Sequence, residues 1–289
     1  MVEHVRLPEW LRRGAPDPTI LDRMKSLLDG LQLHTVCESA DCPNQGECFT
    51  RGTATFMILG DICTRDCTFC AVKTGRPHPV DTGEPEHIVE AVKRLGLRHV
   101  VITSVTRDDL DDGGAAQFAR CIEALRRHDP SVTVEVLIPD FRGSLPALKV
   151  VLDSAPTILN HNVETVPRLY PEVRPQANYE RSIGLLMKAK AAAPGVFTKS
   201  GLMVGLGETR PEVIEVMQDL RKADCDFLTI GQYLQPSPQH HAVIRFVTPA
   251  EFAEYKRIGE EKGFQFVASA PFVRSSFHAA EALRSLDSR

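Results

Sequence analysis

The chain lacks any long apolar run, any internal repeat and any marked excess of charge, and each absence removes a class of function. None of its 289 residues belongs to an uninterrupted apolar stretch of the roughly 18–20 residues that a membrane-spanning helix needs. Its N-terminus, MVEHVRLPEWLRR, lacks the apolar core of a secretory signal. We expect a soluble, cytoplasmic protein that engages no membrane. The formal net charge of −4, from 34 basic against 38 acidic side chains, argues against a protein that coats nucleic acid. Low-complexity tracts are missing too, and a 43% hydrophobic content excludes a disordered chain.

Cysteine, by contrast, is abundant. Eight are present, and six of them, Cys37, Cys42, Cys48, Cys63, Cys67 and Cys70, fall within 34 residues. Dense disulfides belong mostly to small secreted chains, so bound metal is the better reading of this cluster. Cys121 lies on the apolar stripe of a predicted helix and Cys225 just ahead of a predicted strand, so both read as inert core thiols.

Downstream, β-branched runs alternate with amphipathic ones, the pattern of repeated βα units. Six parallel strands are predicted, over residues 53–60, 99–105, 133–139, 157–163, 198–205 and 226–234. Pro85 opens a helix whose Ile88, Val92 and Leu95 share a face and which Gly96 follows; Phe118, Cys121, Ile122 and Leu125 make a second stripe. Ile183, Leu186, Met187 and Lys190 make a third, and Val213, Ile214, Met217 and Leu220 a fourth after Pro211. Apolar strands covered by helices imply a parallel sheet, and polar residues gather at most strand ends, which favours a site lined from all sides. The expected fold is α/β, a partial (β/α)6 TIM-type barrel over residues 53–263, with an N-terminal extension over 1–52 and a C-terminal extension over 264–289.

Cys63-Thr-Arg-Asp-Cys67-Thr-Phe-Cys70 has a C-x3-C-x2-C spacing directly after the first strand. Thiolates packed so closely want metal or positive charge, and cysteine is the usual ligand of iron–sulfur clusters. With three ligands a cubane keeps one iron open for chemistry. Structural zinc would want a fourth ligand, for which His78 is the nearest candidate. Cys37-Glu-Ser-Ala-Asp-Cys42-Pro-Asn-Gln-Gly-Glu-Cys48 is a turn-rich C-x4-C-x5-C run whose shape also points to a metal. Fourteen residues with a predicted strand separate the triplets, so two clusters are expected. The cysteines alone would also suit a two-cluster electron carrier or a zinc-bearing interaction module.

The C-x3-C-x2-C motif with Phe69 before its last cysteine resembles the signature of the radical SAM enzymes. With CESADCPNQGEC (37–48), SVTRDDLDDGG (104–114), NHNVETV (160–166) and RSSFHA (274–279), the chain resembles the lipoyl synthase family within them, from about residue 30 to 280. The N-terminal triplet sets this pattern apart from other sulfur-inserting members such as the biotin synthases. The resemblance implies a 4Fe–4S cluster on Cys63, Cys67 and Cys70, where S-adenosylmethionine binds the open iron and is cleaved to a 5′-deoxyadenosyl radical. It implies a second, sacrificial 4Fe–4S cluster on Cys37, Cys42 and Cys48, whose sulfurs enter C6 and C8 of an octanoyl group on a lysine. Implied partners are the octanoylated lipoyl carrier domain, from a 2-oxoacid dehydrogenase or glycine cleavage carrier, and a reductant such as ferredoxin or flavodoxin, with no nucleic acid.

The family's fourth ligand to the sacrificial cluster is a serine in an Arg-Ser-Ser-Tyr motif, which reads Arg274-Ser275-Ser276-Phe277 here. Ser276 is taken as the ligand, and Phe277 lacks the tyrosine hydroxyl. An alkoxide is a harder donor than a thiolate, so its iron would be the easiest to release. On residue type alone, Ser275 and Ser276 would read as helix caps before HAAEALRSL. Carried over in the same way, Phe69 lies near the adenine, Thr103 and Ser104 bind the methionine end of the cofactor, and Arg174 its carboxylate. Asn162 and Glu164 reach ribose or substrate, and Gln235, within residues 232–236, shapes an adenine pocket backed by residues 201–208. Asp108, Asp109, Asp111 and Asp112 read as a solvated loop before a helix N-terminus. His161 is placed near the substrate, and His240 and His241 in a loop without metal. A carbon radical attacks whatever is near, so both extensions are expected to cover the barrel mouth, bringing Ser276 to Cys37, Cys42 and Cys48.

Overall fold

The computed structural model of the protein describes residues 7–14, 17–50, 54–276 and 280–287. Phe277 and the boundary expected at residue 52 lie outside the described residues. The main sheet has eight strands: β1 (His34–Thr35), β2 (Thr55–Ile58), β5 (His99–Ser104), β6 (Thr133–Leu137), β7 (Ile158–Asn160), β8 (Phe197–Val204), β9 (Phe227–Gln232) and β10 (Phe266–Ser269), in that spatial order. Strands β2 through β10 of this sheet pair in parallel, while β1 runs antiparallel along β2. Two short strands, β3 (Ile62–Cys63) and β4 (Lys73–Thr74), form a separate ladder. Among the described residues no ladder joins β10 back to β1, so the barrel is partial.

The strands form here because Val100, Ile102, Val134, Val136, Leu159, Leu228 and Ile230, in register on one face of the parallel sheet, are buried in one core with the helices. The covering helices are α4 (Glu84–Leu95), α5 (Ala115–His128), α6 (Leu145–Asp153), the short α7 (Tyr170–Val173), α8 (Tyr179–Ala192), α9 (Arg210–Lys222) and α10 (Pro249–Glu261). Their ends are written locally. Gly96 closes α4 in the left-handed conformation, at φ 63°, and Thr209 with Glu212 forms a capping box on α9, as Thr248 with Glu251 does on α10. The N-terminal extension contributes α1 (Pro18–Gly30), α2 (Val36–Ser39) and α3 (Gln45–Thr50); α11 (Ala280–Asp287) is the last described element.

Three expectations need amendment. The parallel sheet continues one strand past the six predicted, because Phe266–Ser269, from the expected C-terminal extension, pairs with β9. On α8 the core face is Ser182, Leu185, Leu186 and Ala189, while Met187 is 49% exposed, so the predicted stripe was rotated. The strands are also not wholly apolar inside. Lys199 Nζ lies 2.8 Å from Glu135 Oε1, to which Asn160 also donates at 3.1 Å, and all three are buried.

Segment 271–276 returns from β10 and lies against β9, where Gln232 N donates to Pro271 O at 3.2 Å. A Cβ on Gly231 would meet Val273 O at 2.0 Å, so glycine is what allows this approach. Gly231→Ala should therefore cost about 1–3 kcal/mol through overpacking, read as a lower thermal midpoint together with faster proteolysis around residues 271–276. Unchanged protease resistance would contradict the close seating.

Candidate active site

The cluster loop starts where β2 ends. Leu59 and Gly60 turn the chain at φ 70° and 90°, and both Glu84 carboxylate oxygens accept from Leu59 N, at 3.0 and 3.1 Å. Cys63, Cys67 and Cys70 then follow in one loop, folded back by the β3–β4 ladder. Cys63 Sγ accepts from two backbone N–H groups, Arg65 at 3.4 Å and Thr106 at 3.3 Å. His240 Nε2 donates to Cys70 O at 3.1 Å, and His241 N donates to Thr68 O at 2.8 Å. The histidine pair, given no role from the sequence beyond its loop, thus grips this loop from the far side.

The first triplet is built from turns and two short helices, with Cys42 N donating to Cys37 O at 3.1 Å and Cys48 N to Asn44 O at 2.9 Å. Asn44 ties this loop to the C-terminal segment by donating from Nδ2 to Phe272 O at 2.7 Å, and Arg13 sits 4.0 Å over the Phe272 ring. Three residues on from Phe272, Ser275 Oγ accepts from Asn162 Nδ2 at 3.2 Å.

Both triplets face one cavity of about 1200 Å³. Cys37, Cys42, Cys48, Cys63 and Cys70 line it, with Ser275 and Ser276, as do Phe69, Thr103, Ser104, His161, Asn162, Glu164, Arg174 and Gln235. Cys67 stands within electrostatic reach of Cys63, Arg174 and Glu164. None of the eight cysteines forms a disulfide. Among the described residues no three His, Cys, Asp or Glu side chains converge on a point where a single ion would sit.

The chemistry of this lining suits an iron–sulfur cage and a polar cofactor. Burial pushes the Cys37 and Cys70 thiols up to about 12 and raises Cys67 against the pull of Arg174, so these sulfurs become thiolates only beside added positive charge. Five buried polar atoms of lining residues have no hydrogen-bond partner: Asn44 Oδ1, His99 Nε2, Ser104 Oγ, Asn162 Oδ1 and Arg174 Nε. Such groups cost stability unless a ligand or water satisfies them. Arg174 is held by donating from Nη1 to Asn162 O and Val163 O, at 3.1 and 3.2 Å. Glu164 is half-buried, its carboxyl pushed up by burial and held down in part by Arg174 and by Asn162 Nδ2 at 3.1 Å. Its backbone sits at φ 64°, fixed by Glu164 N to Gly201 O at 3.0 Å and Met203 N to Glu164 O at 2.8 Å. A non-glycine residue in this conformation costs of order 1–3 kcal/mol and persists because the backbone is held on both sides. A Cβ on Gly201 would meet Thr229 Oγ1 at 2.7 Å and Asn162 Oδ1 at 2.8 Å, so glycine keeps the cavity wall open there.

The other sequence-derived candidates fall differently. Thr103 Oγ1 donates to Leu137 O at 3.0 Å and serves the sheet as well as the lining. Gln235 stands exposed at the rim, donating to His240 O at 2.9 Å. His161 is a satisfied core histidine, with Nδ1 on Ile138 O at 2.9 Å and Nε2 on Ser182 Oγ at 3.0 Å, and burial pulls it down to about 4. Asp112 does receive the α5 N-terminus, accepting from Ala116 N at 2.8 Å. Asp108 is no solvated loop residue; it pairs with Arg65 at 2.7 Å. Arg65 and Asn44 were given no role, although Arg65 stands between two of the cysteines and Asn44 between two others.

Residues 57–220 match the Radical SAM superfamily, the class of enzyme that a partial parallel barrel with three cysteines after its first strand defines. HydG, a maturase of the FeFe-hydrogenase, shares the fold at a TM-score of 0.60 and 13% identity, over 80% of this chain and 54% of that one. Residues 1–42 match the N-terminal domain of lipoyl synthase of the radical SAM family. The chain is 58% identical over 275 residues to the lipoyl synthase of Caldanaerobacter subterraneus subsp. tengcongensis, covering 95% of this chain and 96% of that protein. It is 57% identical over 274 residues to that of Rubrobacter xylanophilus, covering 95% and 85%. The chain belongs to the lipoyl synthase family of sulfur-inserting enzymes, and with it come S-adenosylmethionine and a 4Fe–4S cluster. No helix among the described residues is long and apolar enough to cross a membrane.

In the metal-free chain, Cys37 and Cys70 should alkylate at pH 8 about a thousandfold more slowly than an ordinary exposed thiol. Their rates should rise about tenfold per pH unit until the thiols titrate near 12, as followed by mass spectrometry of labelled peptides. Rapid labelling of both at pH 8 would contradict the burial described.

Proposed function

We propose that this chain inserts sulfur at C6 and C8 of an octanoyl group amide-linked to a lysine of a lipoyl carrier domain, working in the cytoplasm with a ferredoxin- or flavodoxin-type reductant. The observation that carries the reading is one cavity lined by thiols of both cysteine triplets and by Ser275 and Ser276. Cys63, Cys67 and Cys70 would hold the cluster that binds S-adenosylmethionine, and Cys37, Cys42, Cys48 and Ser276 a second 4Fe–4S cluster. When bound, these groups supply one-electron cleavage of the cofactor, the hydrogen-abstracting nucleoside radical and the two sulfur atoms.

The chain's own residues bind, orient and shield. Ser104 Oγ, Asn162 Oδ1 and Arg174 Nε present unpartnered polar atoms to an amino acid and ribose, and Glu164, its backbone held by β8, offers a side-chain carboxyl that accepts from Asn162 Nδ2 at 3.1 Å. Phe69 stands beside the adenine position, and Gln235 and Thr103 complete the cofactor contacts. Ser275 is engaged by Asn162, which leaves Ser276 as the hydroxyl for the second cluster. Holding target carbon and radical in one enclosed volume supplies the proximity on which a radical reaction depends.

Cys67→Ala should abolish 5′-deoxyadenosine formation. Cys42→Ala should still cleave the cofactor but yield no lipoyl product from an octanoyl-lysine peptide, both read by mass spectrometry of anaerobic turnovers. Normal lipoyl product from Cys42→Ala would sink the reading of a sacrificial second cluster.

A further inference from the structure

Arg65 is the third residue of the Cys63–Cys70 loop, and its side chain is almost fully buried between two carboxylates. Its Nε and Nη2 form a fork on Asp108 at 2.7 and 2.9 Å, and Nη2 also donates to Asp140 Oδ1 at 2.6 Å. Asp140 is fully buried and is itself fixed by Arg142 N at 3.0 Å and Arg181 Nη1 at 3.1 Å. The same stretch is zipped along the loop after β5. Thr64 N donates to Thr106 O at 3.0 Å, and Asp108 N donates to Thr64 Oγ1 at 3.0 Å. The zipped stretch carries the two N–H donors that meet Cys63 Sγ, one from Arg65 itself and one from Thr106.

The geometry points to Arg65 as the positioning residue of this loop: clamped by Asp108 and Asp140, it holds two N–H donors on the Cys63 sulfur and so raises the reduction potential of the cluster bound there. The inference rests on the reading that Cys63, Cys67 and Cys70 carry a 4Fe–4S cluster. Hydrogen bonds to cluster sulfurs withdraw electron density and favour the reduced state. Outer partners of this kind also govern how tightly metal is kept. The guanidinium charge is met by the two aspartates, so the effect acts through the loop's geometry more than through net charge.

Two substitutions separate geometry from charge. Asp140→Ala removes a negative charge, which by Coulomb's law alone would raise the potential, whereas loosening the clamp would lower it. Arg65→Lys keeps the charge but loses the fork, so charge alone predicts no change and the clamp again predicts a fall. In the full-length, anaerobically reconstituted protein, the cluster is identified by an electron paramagnetic resonance signal that shifts on adding S-adenosylmethionine. We expect a lower midpoint potential in both variants and iron release to a chelator about tenfold faster. A potential that stays or rises in Arg65→Lys, or iron retention equal to the parent's, overturns the inference. If Asp140→Ala does not fold, Arg65→Lys decides it. A parent protein that takes up no cofactor-responsive cluster overturns the underlying reading as well.

Discussion

A buried thiol gives up its proton only against compensating positive charge, and this constraint governs the site. Five of the six clustered cysteines border one cavity and Cys67 stands within electrostatic reach of Cys63 and Arg174, with at least three of the six thiols pushed upward by burial. Nothing in a hydrophobic core calls for sulfur in such numbers and such spacing. On the proposed reading, the arrangement becomes favourable once iron and sulfide replace the protons, and much of the remaining architecture brings the two triplets to one volume.

The parallel barrel presents the second triplet, because its loop begins at the carboxyl end of β2 and is stitched to the loop after β5. The first triplet comes from outside the barrel, and what fixes it is the C-terminal segment, through Asn44 on Phe272 and Arg13 over the same ring. That segment in turn reaches the barrel wall through Gly231 and through Ser275 on Asn162. Asn162 thereby touches three parts of the account at once: it donates to Glu164 and Ser275, its carbonyl holds Arg174, and its Oδ1 still lacks a partner. The two ends of the chain are coupled through the site, not merely laid over it.

What could be read from sequence was what is local. Cysteine spacing and the Pro85-to-Gly96 helix declare themselves within a dozen residues and stand where expected, whereas the first triplet, in which nothing reads as helix or strand, carries Cys37 and Cys48 on the short helices α2 and α3. Ser104, Asn162 and Glu164 are marked only by polarity at predicted strand ends and Arg174 only by resemblance, and all four line the cavity. What escaped depends on distant partners. Arg65 meets Asp108 and Asp140 across 43 and 75 positions, and each reads alone as a solvated charge. Lys199 meets Glu135 across 64, inside strands that otherwise look apolar. Strand β10 is four residues of modest pattern, legible only through its pairing with β9. On α8, apolar side chains on adjacent positions left two stripes open, and packing chose Leu185 and Leu186 over Met187.

The central claim is that two separate triplets hold two separate clusters around one cavity. Iron and sulfide counts on the anaerobically reconstituted chain test it most directly, measured for the parent and for two variants in which one triplet or the other is replaced by alanine. The account predicts about eight of each per parent chain and about four in either variant. About four in the parent with none in either variant would mean a single shared site, and would contradict it.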